Sequence, residues 1–248
     1  MKWSSRPLRS RVRILRRALR HPWRGEIIYR EILRTLDGAG FEAMAREILE
    51  SGLDTLPSDR AADAAAAAYF RYEKYLDFAY YLRLNIARAL ELGLQHGKPQ
   101  RILDIGCGAG YFLVVCRQLG HAAQGLDMEI FPIFNRLIRF FGLSRIGLEI
   151  RPFEPLPALA GEPFDLITAH AVQFDRMDGG GIWERKEWEH FLACIRAKLA
   201  PGGRFAYSLN PGRRYASRDP EVFRLFANTP GFTVQHADRK RVLATRVD

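Results

Sequence analysis

Three glycines at alternate positions, Gly106, Gly108 and Gly110, close the stretch RILDIGCGAGYF, directly behind a short apolar run that carries Asp104. A run of that length reads as a strand. A glycine-rich exit from a strand marks backbone that must turn through positive φ or let another group approach closely. The pattern predicts a strand-to-helix turn at the head of a parallel sheet, where the helix N-terminus offers free N–H groups and ligands gather at the carboxyl ends of the strands.

The rest of the chain from Gln100 onward keeps the same rhythm. Strands are expected at 101–106, 122–127, 147–152, 164–169, 204–209, 232–237 and 241–247, with helices near 110–119, 131–141, 187–199 and 219–227. Alternating strand and helix predicts an α/β fold, a three-layer Rossmann-like sheet of seven strands, mostly parallel. The last two strands are only a few residues apart, so they must pair antiparallel.

A dinucleotide fingerprint, G-x-G-x-x-G, needs its third glycine for close helix packing, and here Tyr111 takes that place. A nicotinamide-dependent oxidoreductase is thereby disfavoured. A Walker loop is excluded more firmly, because no GK[ST] follows. DIGCGAG resembles the first motif of the class I S-adenosylmethionine-dependent methyltransferases, D/E-x-G-x-G-x-G. QGLDME, EPFDLITAH and LAPGGRFAYSLN resemble that family's second, fourth and fifth strands, so the resemblance covers about residues 73 to 248. It implies S-adenosylmethionine as cofactor. Asp104 would meet the amino-acid ammonium directly or through water, Gly106, Gly108 and Gly110 would let backbone approach, and Asp127 would accept from the ribose hydroxyls. The family's acid at the end of the third strand is absent, since the chain reads Arg151-Pro152-Phe153-Glu154. Adenine would instead meet the backbone N–H of Phe153, or the side chain of Phe153 or Met128.

The family's acceptor site follows the fourth strand, where the chain reads AHAVQFDRMDGGGIWERKEW. His170 is the candidate base, its imidazole able to take a proton near neutral pH; a purely structural histidine is the competing reading. Gln173 and Asp175 are candidates to orient the acceptor, and Tyr111 to close the pocket. The insert with Gly179, Gly180 and Gly181 reads as a loop, either ordinary and exposed or closing over substrate with Trp183 as its aromatic anchor. The D/N-P-P-F/Y signature of base-methylating enzymes is missing, and Asn210-Pro211 falls after the wrong strand. The expected acceptor is a small molecule, a glycan or a lipid-linked group, methylated at oxygen rather than nitrogen. An RNA methyltransferase, or a non-catalytic protein binding cofactor or RNA, is the alternative.

Charge separates the chain into two regions. Eleven of the 38 Lys and Arg residues lie in residues 1–34 against only Glu26 and Glu31, so that segment holds +9 of the net +10. In residues 8–20, Leu8, Val12, Leu15 and Leu19 recur at helical spacing among arginines, a basic amphipathic helix ending near Pro22. Packing on the body, contact with an anionic membrane, contact with nucleic-acid phosphate, or a transit peptide would each use it. One or two helices are expected in 26–51 and more in 58–95. Their aromatic cluster of Tyr69, Phe70, Tyr72, Tyr75, Phe78, Tyr80 and Tyr81 reads as core packing or as a pocket roof. The division is a helical extension at 1–60 and a methyltransferase domain at 61–248, with a helical lead-in at 61–98. Cys107, Cys116 and Cys194 form no CxxC pair, so neither disulfide nor metal site is expected. No apolar run approaches the bilayer-spanning length of about 20 residues. A cytoplasmic protein is expected, with peripheral attachment to a membrane as an option.

Overall fold

The computed structural model describes residues 22–51, 72–172, 174–176, 181–209, 219–238 and 241–247. The basic helix expected at 8–20, the division expected between residues 60 and 61, Gln173, Gly179, Gly180 and Asn210-Pro211 all lie outside them. The chain forms two compact units, interleaved in sequence: residues 1–98, 109–120 and 129–143, and residues 99–108, 121–128 and 144–248.

The first unit is helical. Helix α1 (Pro22–Thr35) is followed by α2 (Gly38–Ser51), a 3₁₀ turn (Tyr72–Leu76), α3 (Phe78–Glu91), α4 (Tyr111–Gln118) and α5 (Pro132–Phe140). Pro22 opens α1, a position where proline's missing N–H costs nothing. Two helices occupy 22–51, and the GAGF region starts the second of them, held by an Asp37 carboxylate that accepts from Gly40 N at 2.8 Å. Asp77 caps α3 by accepting from Tyr80 N at 3.1 Å. The core of this unit is aromatic: Phe41 meets Phe78 edge-on at 5.1 Å, and Tyr81 stacks on Tyr111 at 5.6 Å. Of the expected cluster, Tyr69 and Phe70 lie outside the described residues, while Tyr75 packs on Tyr81 at 4.5 Å and on Phe134 at 4.8 Å, so Tyr75 and Tyr81 are packing groups within the unit.

The second unit holds the strands found among the described residues: β1 (Arg101–Ile105), β2 (Ala122–Asp127), β3 (Arg145–Gly147), β4 (Phe164–Val172), β5 (Asp175–Arg176), β6 (Gly181–Ile182), β7 (Leu199–Leu209), β8 (Phe232–Asp238) and β9 (Arg241–Arg246), with helices α6 (Arg185–Lys198) and α7 (Asp219–Asn228). Seven strands join in the order β3-β2-β1-β4-β7-β9-β8. β1 is parallel to β2 and β4, and only β9 runs against its neighbours β7 and β8. This is the Rossmann-like α/β architecture that the alternation predicts. The third strand departs from expectation: it lies at 145–147, and residues 148–152 leave the sheet. Gly142 at positive φ ends the preceding helix early enough for Arg145 to pair with Gly125. β7 begins five residues before the expected Arg204, because Gly203 fits where a Cβ would meet the Ala200 and Phe164 carbonyls at 2.8 and 2.9 Å. The glycine-rich insert expected as a loop also carries a two-residue antiparallel ladder, β5 with β6.

Candidate active site

β1 is buried at every residue after Arg101, and its register places Asp104 beside Gly125 of β2 and Thr168 of β4. Asp104 is 3% exposed, and Thr168 Oγ1 donates to its Oδ1 at 2.6 Å. A carboxylate so enclosed persists because hydrogen bonds replace lost hydration. The strand then turns. Gly106 and Gly108 take φ of +65° and +54°, and Gly106 N donates to Leu126 O at 2.7 Å. A Cβ on Gly106 would collide with the Val172 side chain. Glycine is therefore required there by both conformation and space.

Asp127 ends β2. Its Oδ2 accepts from Gly108 N at 2.6 Å and its Oδ1 from Met128 N at 2.7 Å. One carboxylate thus ties the glycine turn to the end of the neighbouring strand, and each oxygen keeps further acceptor capacity. Burial pushes the Asp127 carboxyl above its usual range, against the opposing effect of the Gly108 and Met128 N–H groups and Arg145. Between the two aspartates sits Cys107, 8% exposed, whose thiol is raised well above its ordinary value by burial and then by the Asp127 and Asp104 charges. That direction disfavours the thiolate on which nucleophilic attack depends.

The carboxyl end of β4 is irregular. The register with β7 shifts between His170 and Val172, and Ala171 stands at φ +60°. Ser208 of β7 holds this bulge: its Oγ accepts from Ala171 N at 3.2 Å and lies 3.3 Å from His170 Nδ1. Strained backbone at a strand end re-aims side chains, a recurrent feature of functional sites. Val172, the residue after the bulge, is the one that crowds Gly106, so turn and bulge adjoin.

The structure brings together Asp104, Gly106, Gly108, Asp127 and Met128. Phe153 is 56% exposed at φ +61°, its ring 5.9 Å from that of His190. Asp175 lies in β5. Trp183 has a different place from the loop anchor expected of it. It is 3% exposed in the core of the second unit, with ring centroids 5.0 Å from Phe174 and 5.7 Å from Trp188. Gly110 and Tyr111 belong to the first unit, where a Cβ on Gly110 would meet Leu143 and Ile138 at 2.5 and 2.7 Å. Tyr111 is also 3% exposed, and its hydroxyl donates to Tyr75 O at 2.6 Å. Both rings take core positions. Thr168 and Ser208 escaped the sequence reading. A single hydroxyl inside FDLITA, in register with the one carboxylate of RILDI, was the available signal for Thr168.

A parallel sheet with a left-handed glycine turn and an acid at the end of its second strand defines a nucleoside-binding α/β protein. Residues 72–220, more than half of the chain, match the model of the methyltransferase-domain family, and the chain belongs to that family of class I S-adenosylmethionine-dependent methyltransferases. S-adenosylmethionine is the cofactor this family uses. A tRNA U34 carboxymethyltransferase of Pseudomonas fluorescens (strain SBW25) is 34% identical over 111 residues, 43% of this chain and 31% of that relative. The match thus spans about a third of the relative's length. Similar solved structures include a 16S rRNA N2 G1207 methyltransferase of T. thermophilus, with TM-score 0.44 and 20% identity over 68% of this chain and 43% of that one. Another is an amino pentose methyltransferase of Micromonospora echinaspora, with TM-score 0.47 and 20% identity over 67% of this chain and 92% of that one.

Proposed function

We propose that the chain transfers a methyl group to a small-molecule, glycan or lipid-linked acceptor, at oxygen rather than nitrogen. The observation that supports the cofactor half of the reading is the Asp127 carboxylate, bonded through both oxygens to the turn and to Met128; the acceptor half rests on His170 beside Ser208 at the end of β4. The fit of the cofactor rests on chemistry present here: a turn that excludes a Cβ at Gly106 and a strand-end acid with acceptor capacity to spare. S-adenosylmethionine, bound there, supplies a methyl group activated by a sulfonium.

The chain's own residues do the rest. Asp127 accepts from the ribose hydroxyls, and Gly106, Gly108 and Gly110 keep the turn free of side chains. Asp104, anchored by Thr168, fixes the strand end and presents negative charge toward an ammonium. Met128 and Phe153 pack on adenine. His170, whose Nδ1 lies 3.3 Å from Ser208 Oγ, takes the acceptor's proton. Gln173 and Asp175 orient the acceptor, while Tyr111 and Trp183 serve packing. Holding the acceptor in line with the methyl supplies most of the rate, because displacement needs orientation and exclusion of water. Residues 8–20 contact an anionic membrane surface, which favours the lipid-linked acceptor among the three.

A second reading, RNA as acceptor, draws on the relative whose name places its action on tRNA. Methyl-labelled S-adenosylmethionine incubated with the full chain and separate pools of small metabolites, glycans, extracted lipids and tRNA distinguishes the two. Label in one of the first three pools, lost in His170→Ala, is expected. Label in tRNA alone overturns the reading.

A further inference from the structure

We propose that the outer face of α1 docks the protein on an anionic lipid surface. The inner face of this helix is conventional, with Ile28 and Ile32 buried in the first unit. The opposite face carries a second apolar stripe. Trp23 is 84% exposed and Ile27, one turn on, is 55% exposed. With 3.6 residues per turn, Trp23, Ile27, Arg30 and Arg34 form one line along the helix, with Arg24 beside its start and exposed Leu33 beside its end.

A helix packed on a globular body ordinarily turns charged groups alone toward water. An indole and an aliphatic side chain one turn apart on one exposed face, with Leu33 at its flank, mark an interaction surface. Arginines interleaved with them select its chemistry, because an indole seats at headgroup depth while guanidinium groups meet anionic headgroups. Arg30 lies 3.0 Å from Glu26, an exposed pair that costs little to exchange for a headgroup, and Arg24 Nη1 is 2.8 Å from His96 Nε2. Charge on the helix points the same way, since Arg24, Arg30 and Arg34 outnumber Glu26 and Glu31 along α1. RNA would engage the arginines and stack on Trp23 but would gain nothing from Ile27 or Leu33. A bilayer interface uses all of them.

The inference deepens the membrane contact proposed for residues 8–20 and is independent of the acceptor. The test is co-sedimentation of the full chain with vesicles of phosphatidylcholine, with and without one-third phosphatidylglycerol, alongside binding to tRNA. Binding at least about tenfold tighter to the anionic vesicles is expected. Trp23→Ser with Ile27→Ser should weaken it about tenfold, and Trp23→Ser alone, at a side chain that is 84% exposed, should weaken it in the same direction with little change in melting temperature. Arg30→Gln with Arg34→Gln should flatten the dependence on anionic lipid. Vesicle binding unaffected by the Trp23/Ile27 double variant overturns the proposal by assigning the contact to residues 1–21 alone. No vesicle binding also overturns it, as does tRNA binding that the double variant abolishes. Methyl transfer to soluble acceptors reads out separately, so failure here leaves the enzymatic proposal to its own assay.

Discussion

Asp127 concentrates the chemistry of the site in one side chain. If it holds the ribose as proposed, replacing it with alanine should weaken cofactor binding about tenfold or more by titration calorimetry. Its pKa adds a pH signature. The folded carboxyl is raised by burial, so between the ordinary range near about 3.9 and the folded value the native state holds more protons than the unfolded chain. Stability from this group is therefore full below that window and falls as pH rises through it. Cofactor affinity runs the other way, because ribose hydroxyls donate to the ionised form, and Asp127→Asn should remove that slope. Cys107 yields a simpler expectation. With Cys107 and Cys116 buried and the Cys107 thiol raised, a native thiol titration should label Cys194 alone, and all three only after unfolding. The turn formed by Gly106 and Gly108 between the ends of β1 and β2 was legible because positive φ and close approach dictate glycine there. Trp183 and Tyr111 were not, since an aromatic residue carries no mark distinguishing a core position from a pocket wall.

At the level of elements, caps and turns explain which boundaries could be read. Helix α6 starts with a capping box in which the Glu184 side chain accepts from the backbone of Glu187 and the Glu187 side chain accepts from the backbone N–H of Glu184. Glu187 is 2% exposed, so Glu187→Ala should cost about 1–2 kcal/mol, a fall of about 2–8 °C in melting temperature. Gly106→Ala should destabilise through left-handed strain of about 1–2 kcal/mol together with displacement of Val172, and should weaken cofactor binding as the turn moves. The helix over 185–198 was visible two residues late, because Arg185 and Lys186 carry no periodic signal of their own. The third strand was missed by several residues for a different reason. Its three residues pair along one edge, and the apolar GLEI that follows mimics a strand while packing Leu148 and Ile150 on the core.

For the molecule as a whole, the mostly parallel sheet and its antiparallel final pair were inferable from the alternation of runs and from the short link before the last strand, because a link that short cannot make a parallel crossover. The bulge at Ala171 and its Ser208 clamp arise from pairing between strands far apart in sequence, which no local pattern encodes. The uneven charge was fully legible. What it contacts was not, since arginines serve phosphate in a nucleic acid and in a headgroup alike. The central claim, that the Gly106–Asp127 site holds S-adenosylmethionine, is tested most directly by thermal unfolding of the full chain with S-adenosylmethionine, its demethylated product or NAD. A rise of about 5–11 °C with the first two at about a hundredfold excess over the dissociation constant, absent in Asp127→Ala and absent with NAD, is the predicted result. Stabilisation by NAD alone, or by none of the three, would contradict it.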